Sequence, residues 1–267
     1  MVSDDSGDTG VRSVTRALDL LALFDGPDRV FTVRELTDAT GLAKTTVLRL
    51  VATLELRGLL WNHPDGHVCA GPGLLRWASL GRAAWELPAA ARDVMRGLVA
   101  ETAETANLYV RSATARVCVA KEEGPQNLRH HVPVGQPVPL WAGAASKILL
   151  QDGDPALLAR VAALAPADTT PEALADQVAA AARDGYAISH GERELGVSGI
   201  AAPVRDSEGR VTAAIALGGP TVRFTAECIP GFVSAVAAAG ARMSDIGLFP
   251  PPGGAAPQDA APQETED

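Results

Sequence analysis

The sequence predicts an α+β chain of two unequal domains: a small helical N-terminal domain closed by a β-hairpin, and a larger mixed domain after it. Three observations carry this. The first seventy-odd residues show helical apolar periodicity followed by a turn-centred pair of short apolar runs. From about residue 106 the texture changes to strand-like runs interleaved with helical ones. A length of 267 residues with 47% hydrophobic content is enough for two separate cores.

The elements follow in order. Residues 1–10 are polar and acidic and read as a disordered tail. From Ser13 to Phe24, the residues Val14, Ala17, Leu18, Leu21 and Phe24 fall on one helical face, and Asp25-Gly26-Pro27-Asp28 ends that helix. Thr32-Val33-Arg34-Glu35 fits a capping box, so a short helix starts there and runs to about Thr40. Gly41 supplies a tight turn. The next helix carries Val47, Leu50, Val51 and Leu54 on its apolar stripe, with Lys44, Thr45 and Arg49 on the opposite face. Gly58 ends it, and Leu59-Leu60-Trp61 and His67-Val68-Cys69 flank Pro64-Asp65-Gly66 as a hairpin would.

Helix, short helix, tight turn, helix and hairpin form the winged helix-turn-helix arrangement, which sets one helix in the DNA major groove and a wing beside it. Residues 11–72 are therefore expected to bind double-stranded DNA, with the helix-turn-helix at about 32–51. The expected DNA-facing residues are Thr32, Lys44, Thr45, Thr46 and Arg49, with His67 on the wing. Lys and Arg reach phosphates and guanine edges, and threonines hydrogen-bond phosphates or bases. Arg49 is the strongest single candidate. The bland alternative is that Lys44 and Arg49 form the solvated side of a core helix.

Residues 73–86 read as a linker helix, and 87–249 as the second domain. A helix is expected from Pro88 to Thr102, with strands at Ala106 to Arg111 and Arg116 to Ala120. A Pro-rich segment leads to a helix near Gly143 to Leu150, and helices near Pro155 to Ala163 and Pro171 to Arg183 follow. Strands at Tyr186 to Ser189, Gly199 to Val204 and Arg210 to Leu217 precede a last helix at Thr225 to Ile246. Residues 250–267, rich in Pro, Ala and acids, read as a second disordered tail.

Charge is unevenly placed. The net −9 divides into −3 for residues 1–10, +1 for residues 11–80 (8 basic, 7 acidic) and −7 for residues 81–267 (15 basic, 22 acidic). The acidity lies outside the DNA module and does not exclude specific DNA binding. No uncharged apolar run of about eighteen residues occurs, and the N-terminus lacks the order of a signal peptide. The chain is read as cytoplasmic, with no membrane partner. Cys69, Cys118 and Cys228 form no CxxC pair and no even framework, so neither zinc nor disulfides are expected.

Two strings carry a family resemblance in the N-terminal domain: Arg12-Ser13-Val14-Thr15-Arg16-Ala17-Leu18-Asp19-Leu20-Leu21 and Thr40-Gly41-Leu42-Ala43-Lys44-Thr45-Thr46-Val47-Leu48-Arg49-Leu50. Two more follow, Pro139 to Leu150 and Gly185-Tyr186-Ala187 through Gly196 to Val204. Together they resemble the IclR family of transcription regulators over about residues 11–249. Val117 to Ala120, Val132 to Gly135 and Ile188 to Glu194 also look like the actinobacterial, NdgR-like branch concerned with amino-acid metabolism.

The resemblance implies a GAF-like second domain that binds a small, carboxylate-bearing effector, in a homodimer or tetramer reading a pseudo-palindromic operator. Mapped by motif, the effector positions are Asn127, His130, Val138, Ala144, Ala145, Ser189, Val197, Gly199, Ala216 and Gly218. The small residues at Ala142 to Ala145 would leave helix-start amides open to a carboxylate. Relatives that bind small keto acids often carry Asp, Cys and two Ser where this chain has Ser189, Gly199, Ala216 and Gly218. That implies fewer polar groups and more room, hence a larger or more apolar ligand, or none.

No cofactor, metal site or catalytic set is expected, and the chain is not read as an enzyme. His130-His131 beside Cys118 would be a poor chelate, because neighbours on a strand face opposite ways. Ser198 lacks the G-x-S-x-G spacing of a nucleophile elbow. Two alternatives stay open: a DNA-binding scaffold that has lost its ligand, and an enzyme carrying a DNA-binding appendage.

Overall fold

A computed structural model describes residues 11–26, 28–166 and 169–248, divided into two compact units that meet between Glu86 and Leu87. The two expected disordered tails lie outside the described residues.

In the first unit, α1 (Arg12–Ala22), α2 (Val33–Thr40) and α3 (Lys44–Leu56) bury Leu20, Leu36, Val47, Val51 and Leu54 against one another. The capping box at the start of α2 is formed: the Glu35 amide donates to Thr32 Oγ1 at 3.3 Å, and the Thr32 amide donates to Glu35 Oε2 at 2.7 Å. Gly41 at φ +64° ends α2 and turns the chain into α3. Strands β2 (Leu60–Asn62) and β3 (His67–Ala70) form the hairpin. A third strand that the periodicity does not announce, β1 (Phe31–Thr32), pairs with β3 through Phe31↔Val68 and Thr32↔His67. The unit ends in α4 (Leu74–Ala84), which has no buried residue and exposes Leu75, Trp77 and Leu80.

The second unit is a six-stranded antiparallel sheet with helices on both faces. Its strands are β4 (Thr105–Ser112), β5 (Ala115–Glu122), β6 (Pro137–Pro139), β7 (Ala187–His190), β8 (Val197–Arg205) and β9 (Val211–Pro220), in the order β6-β5-β4-β9-β8-β7. Alternation sorts the faces. Leu108, Val110, Ile200, Ala202, Ile215 and Leu217 face α5 (Ala89–Thr102) and α9 (Ile229–Ile246). Tyr109, Cys118, Ala201, Ala214 and Ala216 face α6 (Ala144–Leu149), α7 (Pro155–Ala162) and α8 (Pro171–Asp184).

Differences from expectation have local causes. The last helix begins at Ile229 rather than Thr225, because Pro230 fits a helix's first turn, where its missing N–H costs nothing. The edge strand β6 has Pro at both ends, a composition that reads as loop and is tolerated only at a sheet edge. His130 and His131 lie in a loop, not on a strand, so the alternation argument does not apply to them; their rings nonetheless part, one toward Arg193 and the other toward Lys121 and Glu123.

Candidate DNA interface and ligand cavity

The exposed side of α3 is built by its own period. With Val47, Val51 and Leu54 turned inward, Lys44, Thr45 and Arg49 are exposed and Thr46 is half-buried. Lys44 and Arg49 form no ion pair among the described residues, so both charges are free to meet a phosphate. Ala43 precedes the helix and offers no side-chain cap, which leaves first-turn amides available as further anion donors. Thr32 does not share this availability. Its hydroxyl donates to Glu35 Oε2 at 2.9 Å while accepting from the Glu35 amide, so it caps α2 and has no proton left for a phosphate. On the wing, His67 is half-buried, with Nδ1 3.2 Å from Asp65. Sequence reasoning missed the rest of the wing surface, where exposed Trp61 stacks on His63 with centroids 5.6 Å apart.

The second unit holds a cavity of about 60 Å³ on the face covered by α6 to α8. Small residues make the space. Ser189, Gly199 and Gly218 lie side by side across β7, β8 and β9. Of the expected positions, His130, Ala144, Ala145, Ser189, Val197, Gly199, Ala216 and Gly218 line it. Asn127 and Val138 do not: Asn127 is exposed in the loop after β5, and Val138 is buried in the core opposite Arg116.

The small residues on β8 and β9 do not by themselves leave an empty apolar space. The His130 ring fills the space over Gly218, where a β-carbon would lie 2.8 Å from Nδ1. Charged side chains line the remaining wall: Arg116, Glu192, Arg193 and Glu194. The start of α6 is not open either, since the Gly143 amide donates to Glu192 Oε2 at 2.8 Å and Lys147 Nζ holds Oε1 at 2.5 Å. Sequence reasoning missed this carboxylate because the Gly191–Gly196 loop reads as solvent-exposed turn.

Electrostatics follow burial. Arg116 is 6% exposed, and desolvation lowers its pKa to about 10. Its guanidinium sits over the Tyr109 ring, 5.3 Å from the centroid, and burial holds that phenol protonated, its pKa pushed up to about 12. Desolvation first, then Arg193, depresses His130 to about 4. Burial raises the Cys118 thiol to about 11, so it is no nucleophile at neutral pH. Ser198 hydrogen-bonds His190 Nδ1 and Thr221 Oγ1, each at 2.8 Å, a chain without a carboxylate. Among the described residues no group of three or more His, Cys, Asp and Glu is placed to hold a metal, and no helix is long and apolar enough to cross a membrane.

Residues 13–63 match the family model of the IclR helix-turn-helix domain, and residues 83–245 match that of the bacterial transcriptional regulator IclR C-terminal domain. The chain belongs to the IclR family. It is thus a DNA-binding transcription regulator, with its helix-turn-helix in the first unit and the family's effector domain in the second. KipR of Bacillus subtilis is 29% identical over 87% of this chain and 96% of its own length. BhcR of Paracoccus denitrificans is 30% identical over 93% of this chain and 90% of its own. A solved IclR-family regulator from Rhodococcus sp. is 45% identical, covers 93% of this chain and 98% of its own, and superposes with a TM-score of 0.62. These relatives are transcription regulators rather than enzymes.

Proposed function

We propose that α3 is the recognition helix of an operator-binding regulator, and that a small carboxylate-bearing metabolite in the second unit's cavity modulates its affinity for DNA. The observation that carries the first half is the exposed, unpaired Lys44–Thr45–Arg49 face at an uncapped helix start. Arg49 reads a base edge, Lys44, Thr45 and Thr46 hold phosphates, and His67 contacts the backbone from the wing. Two copies present two such helices to a pseudo-palindromic site, as a homodimer or a dimer of dimers. The exposed apolar side of α4 supports self-association.

The cavity supports the second half through its size and through the buried Arg116 guanidinium on its wall, which pairs with no carboxylate among the described residues. The ligand is bound and not turned over: Ser198 on the cavity wall pairs with His190 at 2.8 Å, but no carboxylate among the described residues stands behind that imidazole to complete a catalytic set. The reaction to the ligand is a coupling free energy between cavity and DNA heads. The place of action is the cytoplasm, where operator DNA is found.

Footprinting of the DNA upstream of the chain's own gene and its neighbours tests the reading. A protected two-fold symmetric segment with half-sites about one or two helical turns apart is the expected result. Protection that shows no preferred position would refute it.

A further inference from the structure

The neighbouring antiparallel strands β5 and β6 are joined by residues 123–136, where a hairpin needs only about two to five. The connection is rooted at both ends. At the first root Gly124 is buried, its amide donating to Thr105 Oγ1 at 3.2 Å. At the second, Val132 is buried in the core and the Gly135 amide donates to the Cys118 carbonyl at 2.8 Å. Between the roots, among the described residues, one hydrogen bond ties the backbone of residues 125–131 to the rest of the fold: Arg223 Nη2 donates to the Leu128 carbonyl at 3.0 Å.

That bond is held from behind. Arg223 is forked onto Glu104, which is 2% exposed, through Nε and through Nη2 at 2.7 Å. The charges on the outer side of the segment bind its own base instead of the body: Arg129 Nη2 lies 2.8 Å from Glu123, and His131 Nδ1 lies 3.7 Å from the same carboxylate. On the inner side His130 lays its ring over Gly218. Its Nε2 accepts from Arg193 Nη2 at 3.1 Å, since a guanidinium only donates, and its Nδ1 is buried. Swinging residues 125–131 outward therefore breaks one main-chain bond and one side-chain bond, and leaves both roots and the sheet intact. Segments tied this sparsely open at low free-energy cost.

We infer that residues 125–131 are a flap over the second unit's cavity, with His130 as its plug and Arg223 as its latch, and that a ligand enters when the latch lets go. The inference rests on the effector reading above and names the way into its cavity. Glu104 is a positioning residue, fixing the latch from beneath.

The test is the rate at which diethyl pyrocarbonate modifies each histidine of the full chain at neutral pH, mapped by mass spectrometry. The reagent attacks the unprotonated imidazole nitrogen, which in His130 faces Arg193. In wild type, His130 should react about tenfold or more slowly than exposed His131, and urea below the unfolding transition should barely change its rate, because the opening is local. Arg223→Lys keeps a charge for Glu104 but lacks the fork that also reaches Leu128. Losing a hydrogen bond from a charged donor should speed His130 modification by about tenfold or more, with His131 unaffected. A wild-type His130 as reactive as His131, or a His130 rate that rises with urea as steeply as global unfolding, overturns the flap. Folded Arg223→Lys with the wild-type rate overturns the latch. If Arg223→Lys does not fold, the urea dependence of wild type decides. No ligand enters the measurement, so a failed flap and a failed effector reading are told apart.

Discussion

His130 gives the second unit a predictable sensitivity to acid. Its ring is packed over Gly218 and beside Arg193, with Arg116, Glu194 and His131 as the other charged or titratable neighbours. Burial and Arg193 hold its pKa at about 4, against 6.5 for an unperturbed imidazole. As pH falls below 6.5 the unfolded chain takes up a proton that the folded one refuses, so stability is lost through the window from 6.5 down to 4. Linkage makes this loss ~2 kcal/mol at pH 5 relative to neutral pH, with a limit of ~3 kcal/mol below pH 4. Urea unfolding of wild type and His130→Gln, followed from neutral pH to about pH 5, measures it; the difference between the two cancels the titration of shared carboxylates. The variant should lose ~2 kcal/mol less than wild type over that range. Parallel pH dependences for the two proteins would refute the buried, neutral imidazole.

Three further outcomes follow from the same geometry. Thr32→Ala removes the cap of α2 and should lower the first unit's stability by about 1 kcal/mol, read by urea unfolding. Gly218→Ala places a β-carbon 2.8 Å from His130 Nδ1; it should destabilise by about 1–3 kcal/mol and flatten the wild-type pH dependence by expelling the ring. Glu192→Gln leaves Lys147, 9% exposed, without its anion. Breaking a buried pair costs about 3–5 kcal/mol, and because Glu192 itself is partly exposed the expected loss is nearer 2–3 kcal/mol, checked by thermal unfolding.

The DNA module was largely legible in the sequence, because helical period, capping box and turn glycine are local signals. Thr32-x-x-Glu35 and Gly41 fixed where α2 begins and ends. The two-residue strand β1 was not legible, since Thr32 serves at once as strand end and helix cap, and only its pairing with His67 identifies it. The cavity was half legible. The Gly and Ala positions on β8 and β9 stood out by motif, but small residues announce room that a distant loop can fill, as His130 does. Arg116 escaped notice for a related reason. Strand alternation puts it on the same face as Cys118, yet a charged residue in a strand reads as facing solvent until the packing of β6 and α6 over it is known. Glu192 and Arg193 belong to a loop whose composition says only that it turns.

The most direct test of the central claim is a fluorescence-anisotropy titration of DNA from upstream of the chain's own and neighbouring genes, at two salt concentrations, against random duplex. Wild type should bind one of these fragments far more tightly than random DNA, and added salt should weaken that binding. Arg49→Ala should weaken specific binding by about 1–3 kcal/mol, and Lys44→Ala should reduce the salt slope by about one. Equal affinity for every duplex, or an Arg49→Ala curve that overlays wild type, would contradict the assignment of α3 as the reading helix.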